Sequence, residues 1–312
     1  MASPALYVVM YHYVRDLPHT PFPRIKGMLT SAFRQQLAAL RSLYEMATLE
    51  SALDFLRGVY TPSRPLCLLT FDDGLKEHYT DVTPILVDSG VQGLFFVITS
   101  CLQAYRVAPV HMNHFLMAAL DFACYQRAFL QRLSEIAPHF RRPIEVDLPA
   151  AQHTYRWDTP EVASFKYLFN FVLERNIRDQ VVKTLFEEHI ADEQSFASTL
   201  YLNWDEGRRM QTAGMLIGGH SHQHKPLATL SDEELYWDLS TCQRLLIEHF
   251  QPQTHWPFCY PYGQKDSFSN LTVKKLKQLG FTCAFSTEVG RNTPGTPLFT
   301  IRRFDCKDVP RA

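Results

Sequence analysis

The chain lacks the signatures of several large protein classes. Its seven cysteines are scattered and include no Cys-x-x-Cys pair. This odd, dispersed set amid apolar neighbours predicts buried free thiols in a reducing compartment. Neither sign of charge is in excess, because the formal net charge is −1. That balance gives no electrostatic case for binding nucleic acid or an anionic membrane surface.

Long apolar segments are also missing. No run approaches the roughly 18 apolar residues that a membrane-spanning helix needs, and residues 1–6 lack the basic and apolar regions of a signal peptide. We therefore expect a cytoplasmic protein without a membrane span. What the chain does have is 312 residues, 46% of them hydrophobic and 20% charged. This is enough for one large α/β domain or two modest ones.

Short apolar runs alternate with helical patterns in the first third and the last third of the chain. The runs that predict buried strands are residues 7–11, 66–71, 93–98, 215–217, 255–260 and 281–285. Helices are expected between them, and one of these begins with the Ser231-x-x-Glu234 capping-box pattern. This alternation predicts parallel βα units, wound as an open sheet or a barrel.

The alternation stops between residues 101 and 202, where the patterns are mostly helical. Leu116–Leu133, Ser164–Leu173 and Arg178–Ile190 are the predicted helices. We therefore expect a βα domain made of 1–100 and 203–312, and a helical insertion over 101–202 that forms a lid or a substrate subdomain. His111 and His114 lie three apart in it without a nearby carboxylate, which favours packing or surface roles over a second metal site.

Paired carboxylates follow the second predicted strand. Asp72 and Asp73 end an apolar run and precede Gly74, a place where βα loops of barrel folds carry functional residues. Two consecutive carboxylates cannot face one metal ion symmetrically, so Asp73 is free to ligate while Asp72 acts as a base. The alternative is an Asp-Asp-Gly turn in which an aspartate caps a helix.

Histidines follow the strand at 215–217. His220 and His224 lie four apart after Gly218 and Gly219, a spacing that permits both rings to converge. One carboxylate, two imidazoles and an open position for water are a common arrangement for metal-assisted hydrolysis. We expect Ser221 to orient one ring and His222 not to ligate. The alternative is a solvated polar loop rich in histidine.

Three motifs in this order resemble those of a known family. Thr70-Phe71-Asp72-Asp73-Gly74, His220-Ser221-x-x-His224 and Tyr260-Pro261-Tyr262-Gly263 are similar to the first three motifs of the polysaccharide deacetylases. This family is also called NodB homology or carbohydrate esterase family 4. Trp204 at a helix start and Pro226-Leu227 after the last histidine agree with it. The resemblance covers most of residues 5–100 and 203–305 but leaves the insertion unexplained.

The resemblance implies a fold, a metal and roles for particular residues. The fold would be a distorted (β/α)7 barrel of NodB type, with the helical insertion between the first and second motifs. Asp73, His220 and His224 would hold zinc or another divalent transition metal, and Asp72 would be the general base. The Tyr262 backbone N–H would stabilise the oxyanion, with its ring lining the pocket.

The chain departs from the family pattern at two places. Cys259 stands where the third motif usually has an arginine that orients the base, and Arg302 or Arg303 could replace it. The late Leu-x-His motif, which supplies the general acid, is absent near the C-terminus. His12 is the expected substitute, since imidazole exchanges protons near neutral pH, although a structural histidine ending a strand is the alternative. Pro261, Tyr262 and Arg302 are expected to contact the substrate.

The expected activity is removal of an N-acetyl or N-formyl group from an amino sugar. The lack of an export signal favours a small-molecule or carrier-linked sugar, nucleotide- or lipid-linked, in surface glycan biosynthesis. One alternative keeps the site but changes the bond to another amide, a cyclic imide or an O-acetyl ester. Another is a catalytically silent sugar-binding partner.

Overall fold

Eight strands form one sheet in the computed structural model, which describes residues 5–141 and 145–309. They are β1 (Leu6–Tyr11), β2 (Glu45–Met46), β3 (Leu66–Phe71), β4 (Gly93–Val97), β5 (Leu216–Gly219), β6 (Pro257–Cys259), β7 (Cys283–Phe285) and β8 (Phe304–Asp305). Neighbours pair in parallel in the order β7-β6-β5-β4-β3-β1-β8, and β2 pairs with β3. All six predicted strands are present.

Helices connect and surround these strands. They are α1 (Thr30–Leu43), α2 (Leu49–Leu56), α3 (Thr83–Asp88), α4 (Thr99–Ala104), α5 (Pro109–Ala119), α6 (Phe122–Ile136), α7 (Leu148–Thr154), α8 (Pro160–Tyr167), α9 (Arg175–His189), α10 (Glu193–Leu200), α11 (Trp204–Thr212), α12 (Asp232–His249) and α13 (Asn270–Gln278). Two π-helical turns, His78–Val82 and Leu168–Val172, adjoin α3 and α8. Within 5–141 and 145–309, no helix has the length and apolarity that crossing a membrane requires.

One apolar core collects alternate residues from strands across the sheet. Its strand members are Leu6, Val8, Leu66, Leu68, Leu94, Phe96, Cys259, Cys283 and Phe285, and α2 packs into it as well. Alternate residues of a strand share one face, so residues of β1 and β7 meet only if the sheet curls. Ile301, also in this core, pairs with Phe285, while Phe304 pairs with Val9 of β1. Residues 301–305 therefore run between the two ends of the sheet.

The chain divides into two units. The first consists of 1–16, 26–106 and 198–312, and the second of 17–25 and 107–197. The second unit contains α5 to α9, and its grouping with residues 17–25 was not expected from the sequence. Of the predicted domain bounds, residues 1–4 and 310–312 lie outside the described residues, as do residues 142–144 of the predicted insertion.

Local signals explain where particular helices begin. The predicted capping box is confirmed at α12, where the Ser231 hydroxyl accepts from the Glu234 N–H at 3.2 Å and the Glu234 carboxylate accepts from the Ser231 N–H at 2.9 Å. The single helix predicted over 116–133 is wrong. It is two helices, because the Asp121 carboxylate accepts from the Cys124 N–H at 3.2 Å and starts α6 there.

The predicted burial of the free thiols holds for five of the seven cysteines. Cys67, Cys101, Cys242, Cys259 and Cys283 are buried, whereas Cys306 is half-buried and Cys124 is exposed. Burial in apolar surroundings raises the pKa of the Cys67 thiol to about 12, so this side chain stays protonated and packs as a small apolar group.

Candidate active site

The predicted site residues follow the carboxyl ends of β1, β3 and β5. His12 comes directly after β1, Asp72 after β3 and His220 after β5. Leu68 and Ile301 belong to the apolar core. Asp72 lies an even number of residues after Leu68, and Arg303 lies an even number of residues after Ile301. Because side chains alternate along extended chain, their side chains point to the inside of the curled sheet, above the apolar core.

Asp73 faces a different set of partners from Asp72 because the backbone turns sharply between them. Asp73 has a φ of 81° and Gly74 a φ of 65°, both in the left-handed region. Gly74 also packs closely against β4, since a Cβ there would lie 3.0 Å from Val97 Cγ1. A glycine is therefore needed at this turn for both reasons.

Asp73, His220 and His224 come together. Asp73 Oδ1 lies 3.5 Å from His220 Nε2 and 3.5 Å from His224 Nε2. The three ligand atoms lie within 4.8 Å of one another. The His220 Nδ1–H donates to the Cys259 carbonyl at 2.8 Å, which leaves Nε2 as the acceptor nitrogen facing Asp73. Burial lowers the pKa of His220 and so favours the neutral ring that metals bind.

The donor chemistry of this cluster fits a divalent metal. One carboxylate oxygen and two imidazole nitrogens are the donors that zinc and its neighbours take in hydrolytic sites. The possible ligand atoms of a second group, Asp72, His220 and Cys259, also lie within 4.8 Å of one another. Arg303 Nη2 lies 2.8 Å from Asp72 Oδ2 and 3.0 Å from Cys259 Sγ, so a fixed positive charge already occupies that position. The group containing Asp73 is the one that could hold a metal.

Asp72 is held by Arg303. The guanidinium makes two bonds of 2.8 Å to the carboxylate, from Nη1 to Oδ1 and from Nη2 to Oδ2. It also donates to the Ser286 carbonyl at 2.9 Å and the Thr70 hydroxyl at 3.1 Å. Burial by itself would raise the pKa of Asp72, but the charge and hydrogen bonds of Arg303, together with His220 and His12, outweigh burial and lower this pKa to about 2. Asp72 is therefore a carboxylate at neutral pH.

The two arginines proposed from the sequence have different environments. Arg303 has no exposed surface, whereas the Arg302 side chain is 54% exposed, with Nε 4.0 Å from Glu288 Oε2. Arg303 takes the position beside Asp72, and the structure does not bring Arg302 into the cluster. The signal for this was present in the sequence, because Arg303 is two residues after the apolar Ile301 and shares its face in extended chain.

His12 and Tyr262 flank the cluster. His12 Nε2 lies 3.7 Å from Asp72 Oδ2, and the side chain is 45% exposed. The carbonyl of His12 accepts from His78 Nε2 at 2.9 Å, which fixes the backbone there. The Tyr262 ring lies 5.3 Å from the His224 ring, and Tyr262 has a φ of 63°. Pro261, just before it, is buried.

The other histidines considered from the sequence, His222, His111 and His114, lie outside this cluster. The ring of His222 contacts Thr99 Oγ1 at 3.0 Å and packs 5.2 Å from the Trp237 ring. His111 and His114 lie on α5 with rings 6.0 Å apart. No metal-competent cluster found within the described residues includes them.

Several contacts were not foreseen. The Ser221 Oγ accepts from the His224 backbone N–H at 2.8 Å, so the contact found for it is to the main chain of a predicted ligand. The Cys259 carbonyl and the Thr70 hydroxyl each hold a site residue. A main-chain carbonyl carries no residue-type signal, so the Cys259 contact could not be read from the sequence. The alternative for these aspartates was a turn in which one of them caps a helix. Instead, the Asp72 carboxylate faces Arg303, and the Asp73 carboxylate faces the two histidine rings.

Comparison with known proteins defines the class. The family model of the polysaccharide deacetylases matches residues 60–164 and 165–284, and the chain belongs to this family. The predicted family and the predicted fold class, a distorted parallel barrel of NodB type, are thereby confirmed. No protein with curated annotation matches the sequence.

Solved structures share the fold across nearly the whole chain. IcaB from Ammonifex degensii has a TM-score of 0.58 at 20% identity, over 96% of this chain and 91% of its own. The Streptococcus pyogenes deacetylase PplD, in complex with acetate, has 0.59 at 14%, over 97% and 93%. The BpsB deacetylase domain from Bordetella bronchiseptica has 0.57 at 18%, over 96% and 95%.

Proposed function

We propose that this protein is a metal-dependent hydrolase that removes the N-acetyl group, or an N-formyl group, from an amino sugar. One observation carries the proposal. Asp73 Oδ1 lies 3.5 Å from both His220 Nε2 and His224 Nε2, beside a carboxylate, Asp72, that Arg303 keeps charged. Family membership supports deacetylation of a sugar amide. The acetate bound to PplD, which shares the fold, is a product of that reaction type.

The residues of the chain divide the reaction between them. Asp73, His220 and His224 would hold zinc or another divalent transition metal, which supplies a Lewis acid for the amide carbonyl. Asp72 takes a proton from the water that adds to the carbonyl carbon. The Tyr262 backbone N–H donates to the developing oxyanion. His12 gives a proton to the amine as the C–N bond breaks, which yields acetate and a free amino sugar.

The substrate follows the expectation from the sequence. We propose a nucleotide- or lipid-linked amino sugar of a surface glycan pathway, bound beside Pro261 and the Tyr262 ring. Arg302 is not carried into this proposal, because its side chain is exposed and its Nε lies 4.0 Å from Glu288 Oε2.

A substrate panel tests the proposed function. The zinc-loaded protein is incubated with N-acetyl and N-formyl amino sugars, free and nucleotide-linked, and with O-acetyl and cyclic-imide compounds. Release of acetate or formate from an amide is the expected result. Turnover of only the O-acetyl or cyclic-imide compounds would show that the protein hydrolyses that bond instead of a linear amide. Metal binding without any turnover would point to a sugar-binding partner instead.

The base is tested with Asp72→Asn. We expect this variant to keep its metal content and lose turnover by a factor of about 100 or more, since general base catalysis contributes about 100- to 10,000-fold. Asp88→Asn, an exposed aspartate at the end of α3, is the matched control and should keep full turnover. Full turnover in Asp72→Asn would refute the assigned base.

A further inference from the structure

The loop between β5 and α12 carries both histidines of the proposed metal site in a conformation that these residue types disfavour. Ser221 has a φ of 62° and His224 a φ of 54°. Both values lie in the left-handed region, which residues with a Cβ enter rarely. Such a backbone persists only where neighbouring groups hold it. Something in the surrounding structure must therefore fix this loop.

One side of the loop rests on α4 and β4. The Thr99 N–H donates to the Ser221 carbonyl at 3.3 Å, and the Ser100 N–H donates to the His222 carbonyl at 3.0 Å. The His220 N–H donates to the Val97 carbonyl at 2.9 Å. These bonds take up carbonyl groups of the loop and its first N–H. They leave the N–H groups in the middle of the loop to be satisfied from the other side.

Asp238 satisfies them. It is a carboxylate on α12 with only 1% of its surface exposed. Its Oδ1 accepts from the His222 N–H at 2.9 Å, and its Oδ2 accepts from the Gln223 N–H at 2.9 Å. The Ser221 hydroxyl also interacts with this carboxylate and favours its charged form, and the hydroxyl oxygen accepts from the His224 N–H at 2.8 Å. One buried side chain thus reaches, directly or through Ser221, every residue from 221 to 224.

We infer that Asp238 is the positioning residue of the metal site. It bonds two consecutive N–H groups and so keeps the loop in the one conformation in which the His220 and His224 rings converge on Asp73. This inference rests on the proposed function, since it assigns the loop to a metal. Asp238 acts through the backbone and touches neither substrate nor metal in this assignment.

Amide exchange in the metal-free wild type gives the first test and needs no variant. The His222 and Gln223 amides should exchange with solvent at least tenfold more slowly than the amide of the exposed Thr254 in the 251–255 segment. That protection follows from their bonds to a buried acceptor. Exchange as fast as in that segment would show that Asp238 does not hold the loop, and would overturn the inference.

Asp238→Asn gives the second test. The amide group keeps the shape but points an N–H donor at one of the two loop N–H groups, so one bond is lost and one contact becomes repulsive. We expect faster exchange at His222 and Gln223, and a dissociation constant for zinc raised about 10- to 100-fold, as for other groups that orient metal ligands. Glu233→Gln, which removes an exposed negative charge from the same helix, should change neither. An unchanged zinc affinity in Asp238→Asn would overturn the inference.

The two proposals fail in different ways. Asp73→Ala should abolish zinc binding but leave the His222 and Gln223 amides protected, since Asp238 stays in place. If the wild type bound no divalent metal, the proposed function would fall. The exchange rates of wild type and Asp238→Asn would still decide whether Asp238 holds the loop.

Discussion

Two adjacent carboxylates at the end of β3 have opposite surroundings. Asp72 is bonded to a buried guanidinium, whereas Asp73 faces two imidazole rings. The positive φ of Asp73 ends the extended chain at this residue, so its side chain no longer follows the strand's alternation. Neighbouring residues of one type can therefore serve as a charged base and as a metal ligand.

Replacement of Arg303 should separate its role from that of Arg302. Arg303→Met leaves Asp72 buried without its partner, which costs about 3–5 kcal/mol in the free energy of unfolding, and turnover should fall. Arg303→Lys keeps the charge but loses the two-bond geometry. It should therefore lose less stability and less turnover than Arg303→Met. Urea unfolding and kcat measure the two effects.

Arg302→Met is the matched control, since Arg302 is adjacent and exposed. Its free energy of unfolding should stay within about 0.5 kcal/mol of the wild type, with kcat and KM unchanged. A raised KM in this variant would instead support the substrate contact that the sequence suggested for Arg302.

The lowered pKa of Asp72 predicts a dependence of stability on pH. The ordinary value is 3.8 and the folded value is about 2, so Asp72 stabilises the fold above about pH 4. That contribution, of roughly 2 kcal/mol, is lost as the pH falls from about 4 to about 2. Urea unfolding of the metal-free protein should show a steeper loss for the wild type than for Asp72→Asn. Parallel curves would contradict the assignment.

At the scale of elements, the narrow contact between β5 and its neighbours positions His220. A Cβ at Gly218 would lie 2.5 Å from the Pro257 carbonyl oxygen and 2.8 Å from the Phe96 ring. The first of these is backbone of β6 and cannot rotate away. Glycine at this position lets β5 lie against β6 and the core at the distance that the sheet requires.

Gly218→Ala should therefore lower the free energy of unfolding by about 1–3 kcal/mol through overpacking. It should also weaken zinc binding, because His220 lies two residues further along. Gly290→Ala is the control, since the atoms nearest to its Cβ would belong to the exposed side chain of Arg302, with Cδ at 2.9 Å, which can move aside. Chemical denaturation and zinc titration of both variants decide. Equal losses of stability and zinc affinity in the two variants would contradict a particular role for the close contact at Gly218.

The sequence predicts most of the strands and helices. It also predicts the site residues that follow strand ends, but not the contacts that hold them. Strong apolar runs give β3 at residues 66–71 as predicted, and strand ends give Asp72, Asp73 and His220. The choice between Arg302 and Arg303 depends on which face of the chain points inwards, and a shift of one residue reverses it. The contacts of Asp238 and Cys259 depend on tertiary packing that no local pattern contains. The end of α5 before Leu120 was not predicted, because apolar residues continue through α5 and α6 and make them look like one helix.

At the scale of the whole molecule, the proposed metal ligands belong to one unit. Asp73, His220 and His224 all lie in the segments 26–106 and 198–312. A bound ion would therefore link two distant parts of the chain within this unit, and its binding energy would add to the stability of the folded state.

Zinc should raise the stability of that unit by about 2.7 kcal/mol at a concentration 100 times its dissociation constant. Calorimetry with zinc and with a chelator measures the shift. If the two units unfold in separate steps, only one transition should move. His220→Ala should abolish the shift, whereas His222→Ala should keep it, since His222 contacts Thr99 and Trp237 instead. A shift that survives His220→Ala would refute this ligand set.

The pairing of Asp72 with Arg303 has a consequence for biosynthesis. The two residues are separated by 231 positions, and both histidines of the loop are made before Arg303 is. A chain still on the ribosome can have emerged with every proposed zinc ligand while Asp72 has no guanidinium beside it. A chain that stops before residue 303 would therefore carry all three proposed zinc ligands but lack the guanidinium that bonds Asp72.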